Sequence, residues 1–292
     1  MTVDSVPVGV GHLTFLDVSP PELVRMAATA GFDAVGLRAS TAGPGEQAWP
    51  LAPGSPMLQE TLLRLDDTGL RVLDVEIIRL TADTSPTAYG NLFEVGALLG
   101  ASYVNVIAAD PDVHHCHDIF AALAEAAVPY GLRVVVEAMP YTPVKTVADA
   151  AALAAGTPGG VIIDPLHLHR SGGTPADLRA LDTAVLSYYQ LCDAPLAPPH
   201  GQPRPESLPM GQSVEGISDL ALEARAGRLL PGDGELALTG ILDALPWGRS
   251  ISVEAPNLAL RARLGDLELA RRARAAVDRV LAAAGRTATS GT

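Results

Sequence analysis

The stretch from Arg133 to Asp164, RVVVEAMPYTPVKTVADAAALAAGTPGGVIID, decides the fold. Its first segment, RVVVEAM (133–139), is apolar and rich in valine, which predicts a strand buried on both faces. A helix is expected over Thr146–Ala155, where alanine predominates, and VIID (161–164) predicts a second buried strand. A strand, a crossover helix and a second strand form a βαβ unit, in which the two strands are parallel.

The same unit recurs along the chain in both directions. The eight predicted strands are Val8–Thr14, Ala34–Arg38, Arg71–Ile78, Tyr103–Ile107, Arg133–Met139, Val161–Asp164, Leu186–Leu191 and Ser250–Glu254. Each is followed by a helical pattern, and eight such alternations close as a barrel. We therefore predict a single (β/α)8 TIM barrel over residues 1–286, with a flexible tail at 287–292. An open doubly wound sheet is the rival, but GHLTFLD (11–17) is not the glycine-rich phosphate loop that such a sheet usually carries.

Composition and charge exclude several classes of protein. The 292 residues are 48% hydrophobic and 18% charged, which allows a large core. A formal net charge of -13 disfavours nucleic acid and anionic membrane surfaces as partners. The two cysteines, Cys116 and Cys192, form no CxxC pair, and the single lysine, Lys145, lies in a predicted loop. These features argue against a thiolate zinc site, a disulfide framework and Schiff-base chemistry. With no leader or membrane-span pattern, we expect a cytoplasmic protein.

One long irregular segment interrupts the alternation, at residues 194–233, and it is rich in proline. A loop of that length inside a barrel domain is usually functional, and after the seventh strand it would lie over the mouth. We predict that it is an active-site loop. Arg204 and Arg228 flank it and are suited to closing over an anionic group, although anchoring of the loop is the better interpretation for Arg228.

Polar residues stand where the predicted strands end, which is where this fold places its chemistry. They are His12, Arg38, Glu76, Asn105, Glu137, Asp164, Gln190 and Glu254. The last four finish very apolar runs. Taken singly, each acid is more often a helix cap or an ion-pair partner, but three carboxylates and an amide on one barrel axis would repel one another without a cation. Oxygen ligands favour Mn²⁺ or Mg²⁺ over zinc, so we predict a divalent-metal site.

Four motifs carry a family resemblance: EAMP (137–140), DPLHLHRSGG (164–173), QLCDAP (190–195) and VEAPN (253–257). In this order they resemble the xylose-isomerase-like barrel superfamily, and more narrowly the sugar phosphate isomerase/epimerase family. The segments PPELVRMAATAGFDAVGLR (20–38) and EARAGRLLPGDGELAL (223–238) are also similar to that family. The resemblance covers nearly the whole chain. It departs at Gln190, where many members have a histidine, and an amide oxygen is a weaker ligand.

The resemblance implies an Mn²⁺ or Mg²⁺ ion held by Glu137, Asp164, Gln190 and Glu254. It implies an isomerase or epimerase of a sugar or keto-sugar, in which the ion stabilises the enediolate left when a C–H proton is lost. Glu137 and Glu254 would then remove and return that proton. The partner is a small polyhydroxylated carbonyl compound, and the resemblance also allows two copies to pair as a homodimer.

Further residues are candidates for substrate contacts. His167 resembles the histidine of the family's D-x-x-H element, and the position of each other candidate suits a polar contact near the mouth. The predicted substrate-binding residues are His167, Arg170, Asp193, Arg204, Glu76 and His12.

Three other functions are weighed on the same barrel. A lyase or dehydratase of a keto-sugar, keto-inositol or dehydroshikimate-like compound would share the intermediate and differ in its product. A metal-dependent DNA-repair endonuclease is disfavoured by the acidic charge. A non-catalytic sugar-binding barrel remains an alternative, because Gln190 stands where many members of the family have a histidine ligand.

Overall fold

In the computed structural model, which describes residues 5–288, eight parallel strands close into one barrel. The strands are β2 (Val8–Val10), β3 (Ala34–Arg38), β4 (Arg71–Leu80), β5 (Tyr103–Ala108), β6 (Arg133–Glu137), β7 (Gly160–Ile163), β8 (Leu186–Leu191) and β9 (Ile251–Val253). Each strand pairs with the next, and β9 pairs with β2. The predicted single (β/α)8 TIM barrel is confirmed.

Helices surround the barrel. They are α1 (Pro20–Ala30), α2 (Pro56–Thr68), α3 (Gly90–Leu98), α4 (Val113–Ala127), α5 (Val147–Ala154), α6 (Pro165–Arg170), α7 (Pro175–Arg179), α8 (Asp219–Ala226), α9 (Leu238–Ala244), α10 (Leu258–Leu264) and α11 (Asp266–Ala283). Local sequence sets their ends: Thr146 and Asp149 cap α5 reciprocally, and Gly31 ends α1 at a φ of 84°. No helix among the described residues is long and apolar enough to cross a membrane.

The structure departs from the predicted elements at a few places. The first barrel strand stops at Val10, and His12 begins a short 3-10 helix, His12–Phe15. Helix α6, which the sequence pattern did not reveal, starts directly after Asp164. At the carboxyl end, Thr287–Ala288 (β10) pairs in parallel with Ser5–Val6 (β1). The rest of the predicted tail, 289–292, lies outside the described residues, as do residues 1–4.

Side-chain alternation along the strands positions the polar site. Val135, Ile162 and Tyr188 belong to a small buried apolar cluster. Because side chains two residues apart share one face of a strand, Glu137, Asp164 and Gln190 follow these three on the same side. The acidic and amide groups therefore lie one layer above an apolar floor, at the carboxyl ends of the strands.

The loop predicted at 194–233 carries helix α8 and packs against the segment that follows β3. The backbone nitrogen of Gln47 donates to the carbonyl oxygen of Met210 at 2.8 Å. The next residue, Gly211, has a φ of 72°, and a Cβ on it would lie 2.6 Å from the carbonyl oxygen of Gly45. This contact therefore requires a glycine, and it fixes one wall of the barrel mouth.

Candidate metal centre and active site

Three side chains at the ends of neighbouring strands offer ligand atoms within 4.8 Å of one another: Glu137, Asp164 and His167. Glu137 ends β6, and Asp164 follows β7 and caps α6. Oδ1 of Asp164 accepts from the backbone nitrogens of Leu166 at 2.7 Å and His167 at 3.1 Å. This cap starts the helix that brings the His167 ring over the strand ends, with Nε2 3.4 Å from Oε1 of Glu137.

Several polar atoms at this place are buried without a hydrogen-bond partner in the structure. They are Oε1 of Glu137, Oε1 of Gln190 and Nδ1 of His167. Leaving such atoms unpaired is costly, and a cation is the usual partner of a buried carboxylate oxygen. Carboxylate, amide and imidazole donors together fit a divalent ion.

The predicted ligands Gln190 and Glu254 stand beside this cluster of three. Nε2 of Gln190 donates to Oε1 of Glu254 at 3.0 Å, so the free end of the amide is its oxygen. Of the four predicted ligands, the structure brings Glu137 and Asp164 together and adds His167. The preference for Mn²⁺ or Mg²⁺ over zinc was based on a ligand set of oxygen atoms alone. It no longer applies, because the set includes an imidazole nitrogen, which also suits zinc.

Arg228 connects the carboxylates of Asp164 and Glu254, and its side chain is almost completely buried. Its guanidinium lies 2.5 Å from Oδ2 of Asp164 and 3.1 Å from Oε2 of Glu254. It also donates to the backbone oxygen of Ala224 at 2.8 Å. When all three carboxylates are ionised, their charge exceeds that of the one guanidinium by two, which a divalent cation would neutralise.

Burial shifts the pKa values of Glu137, Glu254 and His167 at the centre. Burial, and then the charges of Glu254 and Asp164, raise the pKa of Glu137 well above its ordinary value. Burial raises the pKa of Glu254 to about 7, against the opposing effect of Arg228. Burial lowers the pKa of His167 to about 4, so its ring is neutral near pH 7 and has a lone pair for a metal or a proton.

A cavity of about 130 Å³ opens above the centre. Glu137, His167, Arg228 and Glu254 line its inner part. On the opposite wall Glu76 lines the cavity and accepts from Nε of Arg38 at 3.0 Å. The cavity is therefore polar on both sides of the space where a reactant would lie.

Comparison with protein families supports one assignment. The family described as xylose isomerase-like TIM barrel matches residues 24–279, most of the chain. The chain belongs to the xylose isomerase-like TIM barrel family. A comparison with curated protein sequences finds no match.

Solved structures of xylose isomerase-like barrels share this fold. A fusion protein of such a barrel with 4-hydroxyphenylpyruvate dioxygenase matches 96% of this chain at 20% identity and a TM-score of 0.70; the chain spans 44% of its length. The IolI protein, crystallised with a zinc atom, matches at 18% identity and a TM-score of 0.68, covering 95% of this chain and 98% of that one. D-psicose 3-epimerase from Clostridium cellulolyticum H10, crystallised with D-tagatose, matches at 14% identity and a TM-score of 0.70, covering 95% and 99%.

Four of the six predicted substrate-binding residues do not line the cavity of this xylose isomerase-like barrel. The ring of His12 is buried, and its Nε2 lies 2.8 Å from the carbonyl oxygen of Val18. Arg170 forms a buried ion pair with Glu223 at 2.7 Å. We therefore propose no substrate contact for His12 or Arg170.

The other two occupy structural positions in the loop after β8. The carboxylate of Asp193 accepts from the backbone nitrogens of Ala194, Gly232 and Leu236 at 2.8–3.0 Å. Arg204 lies on the surface, 3.4 Å from Asp219. Asp193 holds the loop in place, Arg204 lies on the exterior, and no substrate contact is proposed for either.

Sequence reasoning missed several residues at the cavity of this xylose isomerase-like barrel, among them Tyr141 and Gln212. Tyr141 packs edge-on against the His167 ring, with centroids 5.6 Å apart. Gln212 lines the cavity, is buried, and has no partner for its Oε1. Tyr141 follows Glu137 by four residues, and this proximity to a strand end was an available signal. Gln212 gave none, because its position depends on how the long loop docks.

Proposed function

We propose that this protein is a divalent-metal-dependent isomerase or epimerase of a sugar or keto-sugar. The observation that carries the proposal is the cluster of Glu137, Asp164 and His167, with unpaired buried acceptors, at the bottom of a polar cavity. The zinc atom in IolI and the D-tagatose in the epimerase structure support it by analogy of fold.

The ion would be held by Glu137, Asp164 and His167, with the free oxygen of Gln190 and the carboxylate of Glu254 beside it. When bound, it supplies a Lewis acid that polarises the substrate carbonyl and stabilises negative charge on oxygen. Arg228 keeps Asp164 and Glu254 in place through its ion pairs. Burial of the whole group excludes bulk water, which strengthens each electrostatic interaction.

Proton transfer falls to Glu137 and Glu254. Both carboxylates line the cavity, and burial raises both pKa values. A carboxylate whose pKa approaches the working pH can both accept a proton from carbon and return it. In our proposal one of them removes the proton next to the carbonyl, and the other delivers it to the opposite face or to the neighbouring carbon.

The test follows carbon-bound protons by ¹H NMR in D₂O with added Mn²⁺, Mg²⁺ or Zn²⁺. The probes are D-fructose, D-fructuronate and D-fructose 6-phosphate, which share carbons 1 to 5 and differ at C6. We expect deuterium to enter next to the carbonyl of at least one probe, together with an epimer or aldose of otherwise unchanged mass. Exposed Glu125 on α4 supplies a matched control, Glu125→Gln, that should exchange as fast as the wild type.

Two outcomes would contradict the proposal. An unsaturated product formed by loss of water would assign the site to a dehydratase. Binding of a probe without exchange at saturating metal would favour the non-catalytic barrel.

A further inference from the structure

The cavity contains more cationic groups than its ion pairs use. Four arginines line it: Arg38, Arg79, Arg225 and Arg228. Arg38 pairs with Glu76 at 3.0 Å and Glu46 at 3.7 Å, and Arg228 pairs with two carboxylates of the centre. Among residues 5–288, no carboxylate lies within 4.0 Å of the guanidinium of Arg79 or Arg225. Two cations are therefore left without an acidic partner in a chain of net charge -13.

Arg225 approaches the cavity from helix α8, three residues before Arg228. Its only hydrogen bond in the described chain is a long one, 3.4 Å from Nη1 to the backbone oxygen of Ser213. The other donors of this half-buried guanidinium are free. It lines the cavity together with Tyr141, whose ring packs against His167.

Arg79 approaches from the opposite wall. It lies three residues beyond Glu76 on β4, but a register shift after Glu76 makes it pair with Ile107, two residues beyond the partner of Glu76, so it stands about 7 Å further toward the mouth. Its side chain is exposed and lines the cavity. The two unpaired arginines thus belong to different walls of one cavity, and Arg79 lies on the mouth side of the polar floor.

Gln212 adds a buried polar group to the same cavity. Its side chain is 7% exposed, and its Oε1 has no hydrogen-bond partner. An acceptor left unpaired in such a place is completed by a donor on a ligand, such as a hydroxyl group. Hydroxyl groups between the reacting carbons and the arginines would supply that donor.

We infer that the substrate carries an anionic group, a carboxylate or a phosphate, on the end remote from its reacting carbons, and that Arg225 and Arg79 bind it. Arginine is suited to this role because its planar guanidinium donates two parallel hydrogen bonds to either group. The long-range field of an acidic protein repels anions, so local cations must provide this recognition. The inference rests on the proposed function for the identity of the reacting end, and it narrows the substrate class to sugar acids or sugar phosphates.

The test is isothermal titration calorimetry with D-fructose, D-fructuronate and D-fructose 6-phosphate, which differ only at C6. We expect the wild type to bind at least one anionic probe at least 10-fold more tightly than D-fructose, and which one binds separates carboxylate from phosphate. Arg225→Gln and Arg79→Gln should each weaken that binding by about 10- to 100-fold, the range of a charge-assisted hydrogen bond, and leave D-fructose unaffected. The matched control is Arg271→Gln, an equal change of charge at an exposed position on α11.

Equal affinity for the three probes would overturn the inference. The absence of detectable binding by either anion would overturn it as well. So would unchanged anion binding by both cavity variants, or an equal loss in Arg271→Gln. Proton exchange on D-fructose without any preference for the anions would overturn this inference and keep the proposed function. Arginine-dependent binding of an anion without proton exchange would keep this inference and overturn the proposed function.

Discussion

Replacing Arg228 with methionine is expected to lower the free energy of unfolding of the metal-free protein by about 3–5 kcal/mol, because the change leaves Asp164 and Glu254 buried without their counter-charge. Urea unfolding at pH 7.5 in EDTA measures this loss. The opposing effects of burial and of the Arg228 charge leave the pKa of Asp164 below its ordinary value. Its contribution to stability is therefore present above its unfolded-state pKa and is lost as the pH falls through the folded-state pKa, so the effect of the variant should shrink in acid.

The buried pair of Arg170 and Glu223 provides a matched control, since it lies outside the cavity. Arg170→Met should lose a similar amount of stability. At one fixed concentration, added Mn²⁺ should then stabilise Arg228→Met more than Arg170→Met or the wild type, because the ion replaces the missing cation and is bound more tightly. A protein at 100 times its own dissociation constant for the ion gains about 2.7 kcal/mol. Equal stabilisation of the two variants, or a fully stable Arg228→Met in EDTA, would contradict this description of the centre.

Replacing Glu137 with glutamine is expected to lower the rate of proton exchange by about 10²- to 10⁴-fold, the usual contribution of a general base. The amide has nearly the shape of the carboxylate but cannot accept the substrate proton. The neutral amide also suits a buried centre in which the other carboxylates oppose the ionisation of Glu137, so the metal-free fold should be at least as stable as the wild type. Exchange rates by ¹H NMR, beside thermal unfolding, separate these two effects.

Glu254→Gln should show a comparable loss if the two carboxylates share the proton transfers. The two losses should not add in the double variant, because groups that act as a unit are non-additive. Retention of more than about a tenth of the wild-type rate in Glu137→Gln at saturating metal would exclude a role as base.

The sequence was sufficient to predict the barrel and the strand-end acids. The apolar runs that end in Glu137 and Asp164 predict where the strands lie. They also predict which side chains face the barrel axis, since the side-chain period of a strand is two residues. These are local properties, and the structure confirms the barrel that they imply.

The partners of those acids could not be predicted, because they depend on packing between distant segments. Arg228 lies 64 residues after Asp164 in the chain and reaches it only once the long loop has folded back over the mouth. His167 joins Glu137 because Asp164 caps an unforeseen helix. Asp193 was a candidate for substrate binding in the sequence. In the structure its carboxylate accepts hydrogen bonds from three backbone nitrogens of its own loop.

The central claim is that Glu137, Asp164 and His167 hold a divalent ion. The most direct measurement is the metal content of the protein by mass spectrometry after equilibration with Mn²⁺, Mg²⁺ and Zn²⁺ and removal of free ions, with Glu137→Gln and Glu125→Gln treated alike. We predict about one ion per chain in the wild type and in Glu125→Gln, and a large loss in Glu137→Gln, since one ligand carboxylate is gone. A wild-type protein that retains no ion, and whose thermal stability no divalent ion raises, would contradict the claim.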